Sequence, residues 1–419
     1  MSLRDRGALI GKSGDVLAIV APGQGAQTPG FLKPWLTESS FADRLTWLSA
    51  VAGLDLVHYG TEADAETIRD TAVAQPLLVA SGLLASLQLF PHPADAFNYI
   101  GVAAGHSVGE LTAAAGVGVI RAEQAMVLVR ERGKAMAAAS AARPTSMTAV
   151  VGGKPEDVLA ALEKHGLTPA NNNGSGQIVA AGTIEQLAAL EADPPARARL
   201  IPLSVAGAFH TQHMAPAVAH LATLSKAVST YDPRVPLLSN ADGQVVQHGR
   251  DVLTRIVGQV ANPVRWDLCL QTMADLGVTG LLEVPPAGTL TGIAKRNLKG
   301  VELFALNTPD QLPDAMDFVR KHGADQVASQ HSNPTWRLVV SPGKGEFVRT
   351  EGIGPDEVLP PLATVGTVAN LREEIPVSAP HGGVVVEWLV EDGDPVAPGQ
   401  PLLRLHPVVE TAGAAEVNR

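Results

Sequence analysis

Residues 99–116, YIGVAAGHSVGELTAAAG, place a serine between an apolar run and an alanine-rich run. The apolar run predicts a buried β-strand, and the alanine-rich run predicts a helix directly after it. Ser107 stands in the pattern Gly-x-Ser-x-Gly, between Gly105 and Gly109. Glycines suit a strand that turns at once into a helix, because such a turn needs strained backbone angles and close approach of neighbouring chains. The stretch predicts an exposed serine hydroxyl in an α/β protein, with a plain glycine–serine turn as the alternative interpretation.

The segments around this stretch predict a doubly wound parallel sheet, formed by residues 15–144 and 205–320. Helical stretches such as Gln75–Phe90 alternate there with short apolar runs such as Val16–Ala21. This alternation is typical of β-α units around a parallel sheet. Residues 145–204 have a rhythm of their own, in which strands alternate with two helices. That segment predicts a ferredoxin-like subdomain inserted into an α/β core.

A second domain is predicted at the C-terminal end. Residues 322–335 are polar and lack periodicity, so we expect a linker there. Beyond them an internal repeat pairs residues at a constant offset, as in Pro342 with Pro380. Apolar residues alternate with polar ones, and Gly, Pro and Asp mark the turns. Residues 336–407 therefore predict a small all-β sandwich of two similar halves.

Composition and charge exclude several classes of protein. The chain has 419 residues, 46% of them hydrophobic and 4% aromatic, as in an ordered globular protein of two or three domains. Its net charge of -11 argues against a nucleic-acid surface, which needs clustered Lys and Arg. Cys269 is the only cysteine, so a reducing cytoplasm is expected. No run of about 18 apolar residues occurs, so we expect a soluble protein without a membrane segment.

The serine needs a base, because a hydroxyl is a poor nucleophile until its proton is taken. Among twelve histidines, His210 stands out because it follows an apolar strand and the small residues Val205–Ala208. From such a strand end a side chain can project into a cleft. His106 is adjacent to Ser107 and is expected to point to the opposite side. Two further candidates follow soon after in the sequence, His213 and His220.

Several stretches, in order along the chain, carry a resemblance to a known family. They are Pro22–Gln27, Gly105–Glu110, Arg132–Met136, Asn173–Gln177, Gly207–His210, Asn262–Val264 and Glu283–Lys295. Together they resemble the malonyl-CoA:acyl-carrier-protein transacylases of bacterial fatty acid synthesis and the acyltransferase domains of polyketide synthases. The resemblance covers roughly residues 15–320 and is specific, because so many motifs occur in the same order.

The resemblance implies a set of catalytic residues. Ser107 would be the nucleophile and His210 the general base, with the backbone carbonyl of Gln259 orienting the imidazole where other serine enzymes use Asp. The main-chain amides of Gln24 and Val108 would form the oxyanion hole. Independently of the resemblance, the amide of Val108 is the nearest donor at the start of the predicted helix, whose positive dipole end favours an oxyanion.

The resemblance also implies which acyl group is selected. Arg132 would bind the free carboxylate of the acyl group, and a planar guanidinium is suited to grip a carboxylate with two hydrogen bonds. Asn173 would line the site. Phe209, directly before the histidine, would crowd an α-methyl branch. These residues together predict malonyl rather than methylmalonyl as the substrate group.

The implied reaction moves malonyl from malonyl-CoA, through a malonyl-serine, to the phosphopantetheine thiol of acyl carrier protein in fatty acid biosynthesis. It requires no metal and no permanently bound cofactor. The alternatives are a polyketide-pathway acyltransferase, a serine hydrolase or thioesterase, and an inactive scaffold that recruits carrier protein. An α/β-hydrolase would carry an HGGG-type oxyanion loop, whereas this chain has Gln24-Gly25 upstream of the serine.

Residues 336–407 resemble the biotinyl/lipoyl carrier domains, with Val377–Gly383 and Val390–Val396 as the strongest fragments. Those domains carry their cofactor on a hairpin lysine, and this chain has Arg372 at that position. A guanidinium is charged and non-nucleophilic at neutral pH, so no biotin is expected. Lys344, the only lysine of the module, is not expected to replace it. We expect a role in docking another synthase component or in oligomerisation.

Overall fold

The chain forms two units, residues 1–329 and residues 330–419. Buried apolar side chains form three clusters in the first unit and one in the second, so each unit has a core of its own. The computed structural model describes residues 14–205, 207–330, 337–370, 373–380 and 382–406.

The first unit is built on a mostly parallel sheet with the strand order β11-β10-β1-β2-β7-β8. The pairs from β11 to β7 are parallel, and β8 is antiparallel to β7. In chain order the strands of this unit are β1 (Leu17–Ala21), β2 (Ile100–Gly105), β3 (Thr145–Gly152), β4 (Thr168–Asn172), β5 (Gln177–Thr183), β6 (Ala198–Pro202), β7 (Leu237–Leu238), β8 (Val245–Val246), β9 (Val264–Arg265), β10 (Gly280–Glu283) and β11 (Glu302–Ala305).

Helices cover both faces of this sheet, which confirms the predicted doubly wound α/β core. In chain order the helices of the first unit, of which α7 and α8 lie in the inserted segment, are α1 (Ser39–Ala52), α2 (Leu56–Thr61), α3 (Thr71–Leu89), α4 (Pro93–Tyr99), α5 (Gly109–Gly116), α6 (Ala122–Ala141), α7 (Pro155–Lys164), α8 (Ile184–Ala192), α9 (Ala215–Ser225), α10 (Gly249–Gln259), α11 (Trp266–Asp275), α12 (Thr289–Asn297) and α13 (Leu312–Gln330). Successive side chains of a strand point to opposite faces. Accordingly, Leu17 and Ala21 join one buried cluster with α3, and Ala18 and Val20 join another with α11.

Helix α3 is the central helix of one face. It is long and apolar enough to cross a membrane by length and composition, but 72% of its apolar window is buried inside the protein. It packs against α5 and α6, and its side chains belong to the largest buried cluster. Burial of this extent is typical of the core helix of a globular protein.

The inserted segment forms a separate layer with the element order β3-α7-β4-β5-α8-β6. Its strands lie in the order β6-β3-β5-β4 and all these neighbours are antiparallel. A β-α-β-β-α-β order is that of a ferredoxin-like fold. Strand β9, from the resumed core segment, adds to this sheet as a parallel neighbour of β4. The insert and the core therefore share a sheet edge near the end of β4.

The predicted linker at residues 322–335 is wrong in its first part, because α13 continues past residue 322. Although this segment is polar, one of its side chains, His322, makes specific tertiary contacts. The ring of His322 packs against the ring of Phe318 at a tilt of 50°, with centroids 4.5 Å apart, and its Nδ1 lies 3.0 Å from Thr279 Oγ1. These contacts hold the helix against the start of β10. Residues 331–335 lie outside the described residues.

The second unit is all-β in the part that the structure describes. Its strands are β12 (Arg337–Val340), β13 (Gly345–Arg349), β14 (Val358–Leu359), β15 (Ala363–Ala369), β16 (Glu374–Ala379), β17 (Gly383–Trp388), β18 (Pro395–Val396) and β19 (Pro401–His406). They form two sheets, β12-β19-β17-β14 and β16-β15-β13-β18. The sequence repeat relates the first four strands to the last four, yet each sheet takes strands from both halves. The halves are therefore interleaved rather than packed side by side.

Candidate active site

Ser107 lies on the sharp turn between β2 and α5. Its φ of 54° is in the left-handed region, which serine rarely adopts. The flanking glycines leave no room for side chains. A Cβ on Gly105 would lie 2.0 Å from the main chain of Gly109, and a Cβ on Gly109 would lie 2.2 Å from the carbonyl oxygen of Ala21. Tight packing of β1, β2 and α5 thus requires both glycines and holds the serine at the strand end.

His210 is the histidine that contacts the serine. Its Nε2 lies 2.9 Å from Ser107 Oγ, and its Nδ1 lies 3.0 Å from the main-chain oxygen of Gln259. A proton on Nδ1 that is donated to this carbonyl leaves Nε2 as the acceptor for the serine proton. The structure therefore brings together three of the predicted residues, with a backbone carbonyl at the third position.

The surroundings keep the imidazole neutral. His210 is 3% exposed, and burial, followed by the nearby charge of Arg132, lowers its pKa to about 3. The ring is therefore unprotonated at neutral pH and available as a base. Its backbone has a φ of 62°, and its N–H donates to the carbonyl of Val260 at 3.1 Å. That bond ties the strained histidine to the end of α10.

Arg132 extends from α6 to the serine. Its Nη2 lies 3.2 Å from Ser107 Oγ, and its Nη1 donates to Gln75 Oε1 at 2.6 Å. The side chain is 3% exposed, and Nε has no hydrogen-bond partner among the described residues. Burial lowers its pKa to about 10, against the opposing charge of Glu110. Arg132 therefore stays protonated at neutral pH and presents an incompletely paired buried charge beside the nucleophile.

Ser107 lines a cavity of about 360 Å³ between the core and the insert. Six of the other predicted residues line it as well: Gln24, Val108, Arg132, Asn173, Phe209 and His210. Its apolar wall comes from Met136, Met147, Val179, Leu203 and Val205. Neither main-chain amide of the predicted oxyanion hole has an acceptor among the described residues. The cavity thus combines an apolar wall with a few polar groups, as small-molecule sites do.

The expectation for His106 is wrong. It lines the same cavity as Ser107 instead of pointing away, because its Nε2 contacts Asn173 Oδ1 at 3.1 Å and its ring packs edge-on against Trp266. Burial lowers its pKa to about 4, so it is neutral. The other two candidate histidines do not line the cavity, and one of them, His220, instead faces Glu131 at 3.3 Å.

Three polar residues of the site were missed by the sequence analysis. Gln75 orients the guanidinium of Arg132, and Asn240 binds the main chain of the serine turn. Glu110 belongs to the Gly105–Glu110 stretch, but no function was predicted for it, and it is buried against Asn240. Position offered a signal for Asn240, which follows β7. In parallel sheets, sites form beyond the carboxyl ends of the strands.

The arrangement can carry acyl transfer to a serine. It supplies a presented hydroxyl, a neutral base, two main-chain amides and a buried cation for a carboxylate on the acyl group. Within the described ranges, no group of three His, Cys, Asp or Glu side chains could hold a metal ion.

Comparisons with known proteins agree with this geometry. The acyl transferase domain family matches residues 19–331. The chain is 48% identical over 299 residues to the malonyl CoA-acyl carrier protein transacylase of Mycobacterium tuberculosis (strain ATCC 25618 / H37Rv), a match that spans 71% of this chain and 99% of that protein. It is 33% identical over 314 residues to the protein of the same name from Escherichia coli (strain K12), spanning 72% of this chain and 98% of that protein.

Solved structures give the same result. The crystal structure of MCAT from Mycobacterium tuberculosis is similar with a TM-score of 0.69 and 48% identity, covering 72% of this chain and 99% of that one. A malonyl-transacylase solved in complex with its type II polyketide acyl-carrier protein is similar with a TM-score of 0.67 and 30% identity, covering 72% and 99%. Both matches span nearly all of the solved chain and leave over a quarter of this one unmatched.

Proposed function

The chain belongs to the acyl transferase family, among its malonyl CoA-acyl carrier protein transacylases, and from this premise we propose how its site works. It transfers malonyl from malonyl-CoA to the phosphopantetheine thiol of acyl carrier protein through an ester on Ser107. The observation that carries the proposal is the buried guanidinium of Arg132, 3.2 Å from Ser107 Oγ at the cavity. A buried cation there is matched by a thioester substrate that also bears a carboxylate.

In the first half-reaction, Ser107 Oγ attacks the thioester carbonyl carbon while His210 Nε2 takes the hydroxyl proton. The carbonyl oxygen becomes negative, and the amides of Gln24 and Val108 donate to it. When the tetrahedral intermediate collapses, the carbon–sulfur bond breaks and the proton passes from His210 to the departing sulfur. CoA leaves as a thiol, and malonyl remains on the serine.

In the second half-reaction, the carrier thiol attacks the ester carbonyl carbon and His210 Nε2 takes the thiol proton. The carbon–oxygen bond then breaks, and the proton returns to Ser107 Oγ. Because one site serves both halves, ping-pong kinetics are expected.

The apolar wall of the cavity, to which Phe209 belongs, disfavours water and crowds an α-methyl branch on the acyl group. Asn173 fixes His106 at the edge of the same cavity.

We propose fatty acid biosynthesis as the pathway and the cytoplasm as the location. The malonyl CoA-acyl carrier protein transacylases of similar sequence support this pathway, and the single cysteine of the chain fits a reducing compartment. A polyketide carrier is the alternative acceptor, because one similar transacylase was solved with such a carrier. Nothing in the site itself distinguishes the two carriers, since both present the same phosphopantetheine thiol.

The adduct is the direct test of this function. Mixing the whole protein with malonyl-CoA, without carrier protein, is expected to add one malonyl group, because the ester forms before the carrier binds. Intact-mass spectrometry detects the addition, and peptide mapping should place it on Ser107. Adding the phosphopantetheinylated carrier should then remove it. A protein that gains no mass, or carries the label elsewhere, would contradict the proposed function.

For the second unit we propose docking of another synthase component. Its support is exposed apolar surface around β14, where Val358 is 62% and Leu362 73% exposed. The two residues are four positions apart in the sequence, and exposed apolar side chains are a feature of interaction surfaces. Arg372, the residue in place of the acceptor lysine, lies outside the described residues. Its replacement of lysine is a sequence observation and is the reason no biotin is proposed.

A chain shortened to residues 1–330 tests this docking role. It keeps α13 and all but the last residue of the stretch 19–331 that the acyl transferase domain family matches, so malonyl loading should stay within about twofold of the whole protein. Binding to a purified condensing enzyme that consumes malonyl-carrier protein should be lost, as measured by surface plasmon resonance. Equal binding by the two chains would contradict docking, and a large loss of loading would place the second unit in catalysis.

A further inference from the structure

The side chain of Asn240 binds the main chain of the serine turn at two points. Its Oδ1 accepts from the main-chain N–H of Ser107 at 2.7 Å, and its Nδ2 donates to the carbonyl of Gly105 at 2.8 Å. Asn240 is 0% exposed and follows β7, the neighbour of β2 in the sheet. One side-chain amide thus bridges Gly105, two residues before the nucleophile, and Ser107 itself.

Glu110 holds Asn240 in turn. Its Oε1 accepts from the main-chain N–H of Asn240 at 2.8 Å, while its own main-chain N–H donates to the carbonyl of Ser107 at 3.0 Å. The carbonyl of Asn240 accepts from the N–H of Arg265 at 2.8 Å. These bonds form a closed circuit of Ser107, Asn240 and Glu110. Glu110 is 4% exposed, so the two supporting residues of the circuit are both buried, whereas Ser107 is half-buried at the cavity.

We infer that Asn240, held by Glu110, is a positioning residue for the nucleophile, an inference that rests on the proposed function. Two consequences follow from its bonds. It stabilises the left-handed backbone of Ser107, which an unsupported serine would leave. It also occupies the N–H of Ser107. The main-chain amide of Val108 has no acceptor among the described residues, so at this turn it is the amide that is left to donate to the oxyanion.

The charge of Glu110 is not what the circuit requires. Burial raises its pKa to about 8, against the N–H of Asn240 and the charge of Arg132. The carboxyl is therefore largely protonated near neutral pH, and its Oε1 serves as a hydrogen-bond acceptor in either form. A glutamine offers the same acceptor without titrating. Glu110→Gln is consequently the conservative replacement, and Glu110→Ala removes the acceptor.

Loss of the circuit should affect the turnover of bound substrate more than its binding. Asn240→Ala is expected to lower kcat by about 100-fold, the effect of displacing a reacting group by about 1 Å. The KM for malonyl-CoA should change by less than about threefold, because Arg132 and the cavity wall stay in place. Glu110→Ala should lower kcat in the same manner, and Glu110→Gln should restore it.

The experiment compares these variants with Leu238→Ala, a buried apolar control from the end of β7 (1% exposed). Steady-state malonyl transfer and Tm are measured for each. A kcat loss for Asn240→Ala well beyond that of Leu238→Ala at similar Tm supports positioning, as does rescue by Glu110→Gln. Equal kcat losses at equal Tm, or a rise in KM with kcat unchanged, would overturn it. If Asn240→Ala does not fold, the comparison of kcat between Glu110→Ala and Glu110→Gln tests the positioning role alone.

The wild-type protein separates the two proposals. If it acquires no malonyl group on Ser107, the proposed function fails and this inference fails with it. If wild type is loaded and the Asn240 and Glu110 variants turn over at the wild-type rate, only the positioning role fails.

Discussion

Ser107→Ala and His210→Ala are each expected to lower kcat for malonyl transfer by about 10³–10⁶-fold, and the double variant is expected to lose no more. The two side chains act as one unit, because Nε2 of His210 lies 2.9 Å from Ser107 Oγ and activates it. Without the imidazole the hydroxyl keeps its proton, and without the hydroxyl the imidazole has nothing to activate. The measurement is steady-state transfer to carrier protein with all three variants.

Substrate binding and pH dependence provide the controls. Both single variants should bind malonyl-CoA with nearly wild-type affinity in calorimetry, because Arg132 and the cavity wall are retained. The wild-type kcat/KM for loading should stay level between pH 8 and pH 5, since the pKa of His210 is lowered to about 3 and the base remains neutral throughout. Additive losses in the double variant, or a kcat/KM that falls as pH drops through 6.5, would contradict this account.

The local sequence was sufficient to predict the serine turn but not the distant side chains that support it. Ser107 and its glycines lie within five residues of each other, and the constraint on them is steric and local. Its partner His210 is 103 residues away and was found through a strand end and a family resemblance. Asn240 is 133 residues away and was missed. A single asparagine has no periodic signal, and its position beyond the carboxyl end of β7 becomes informative only once β7 is placed beside β2 in the sheet.

Secondary structure was predicted where apolar periodicity was strong and missed where it was weak. Strand β4 has the sequence TPANN, which lacks an apolar run, and its place is fixed by pairing with β5 and β9. The helix beyond residue 322 was missed because polar composition hid the packing of His322 against Phe318. Such elements depend on tertiary contacts, and tertiary contacts override local propensity.

The sequence repeat in the second unit predicted the order of the strands but not their pairing. The constant offset correctly indicated that one half repeats the other, since β12–β15 and β16–β19 follow each other in matching order. It did not indicate that each sheet combines strands of both halves. A repeat reports similarity of elements and not which elements hydrogen-bond. Pairing between halves lets each half complete the sheets of the other.

Arg132→Ala is expected to reverse the acyl selectivity of loading. Removing one partner of a buried, hydrogen-bonded ion pair costs about 3–5 kcal/mol, which is about 10²–10⁴-fold in kcat/KM for malonyl-CoA. Acetyl-CoA lacks the carboxylate and, in the wild type, leaves the buried guanidinium unpaired. Removing that guanidinium should therefore leave acetyl loading unchanged or raise it. Loading of Ser107 from each thioester, followed by mass spectrometry over time, gives both rates.

Acetyl loading also controls for damage to the catalytic residues, because Arg132 Nη2 lies 3.2 Å from Ser107 Oγ as well as facing the cavity. If the arginine mainly holds the serine in place, both thioesters should lose rate together, and that equal loss would contradict a role in selectivity. Arg132→Lys is the matched variant. It keeps the charge but loses the planar pair of donors and the bond to Gln75 Oε1. Its malonyl loading should fall between those of wild type and Arg132→Ala, since a point charge attracts the carboxylate without orienting it.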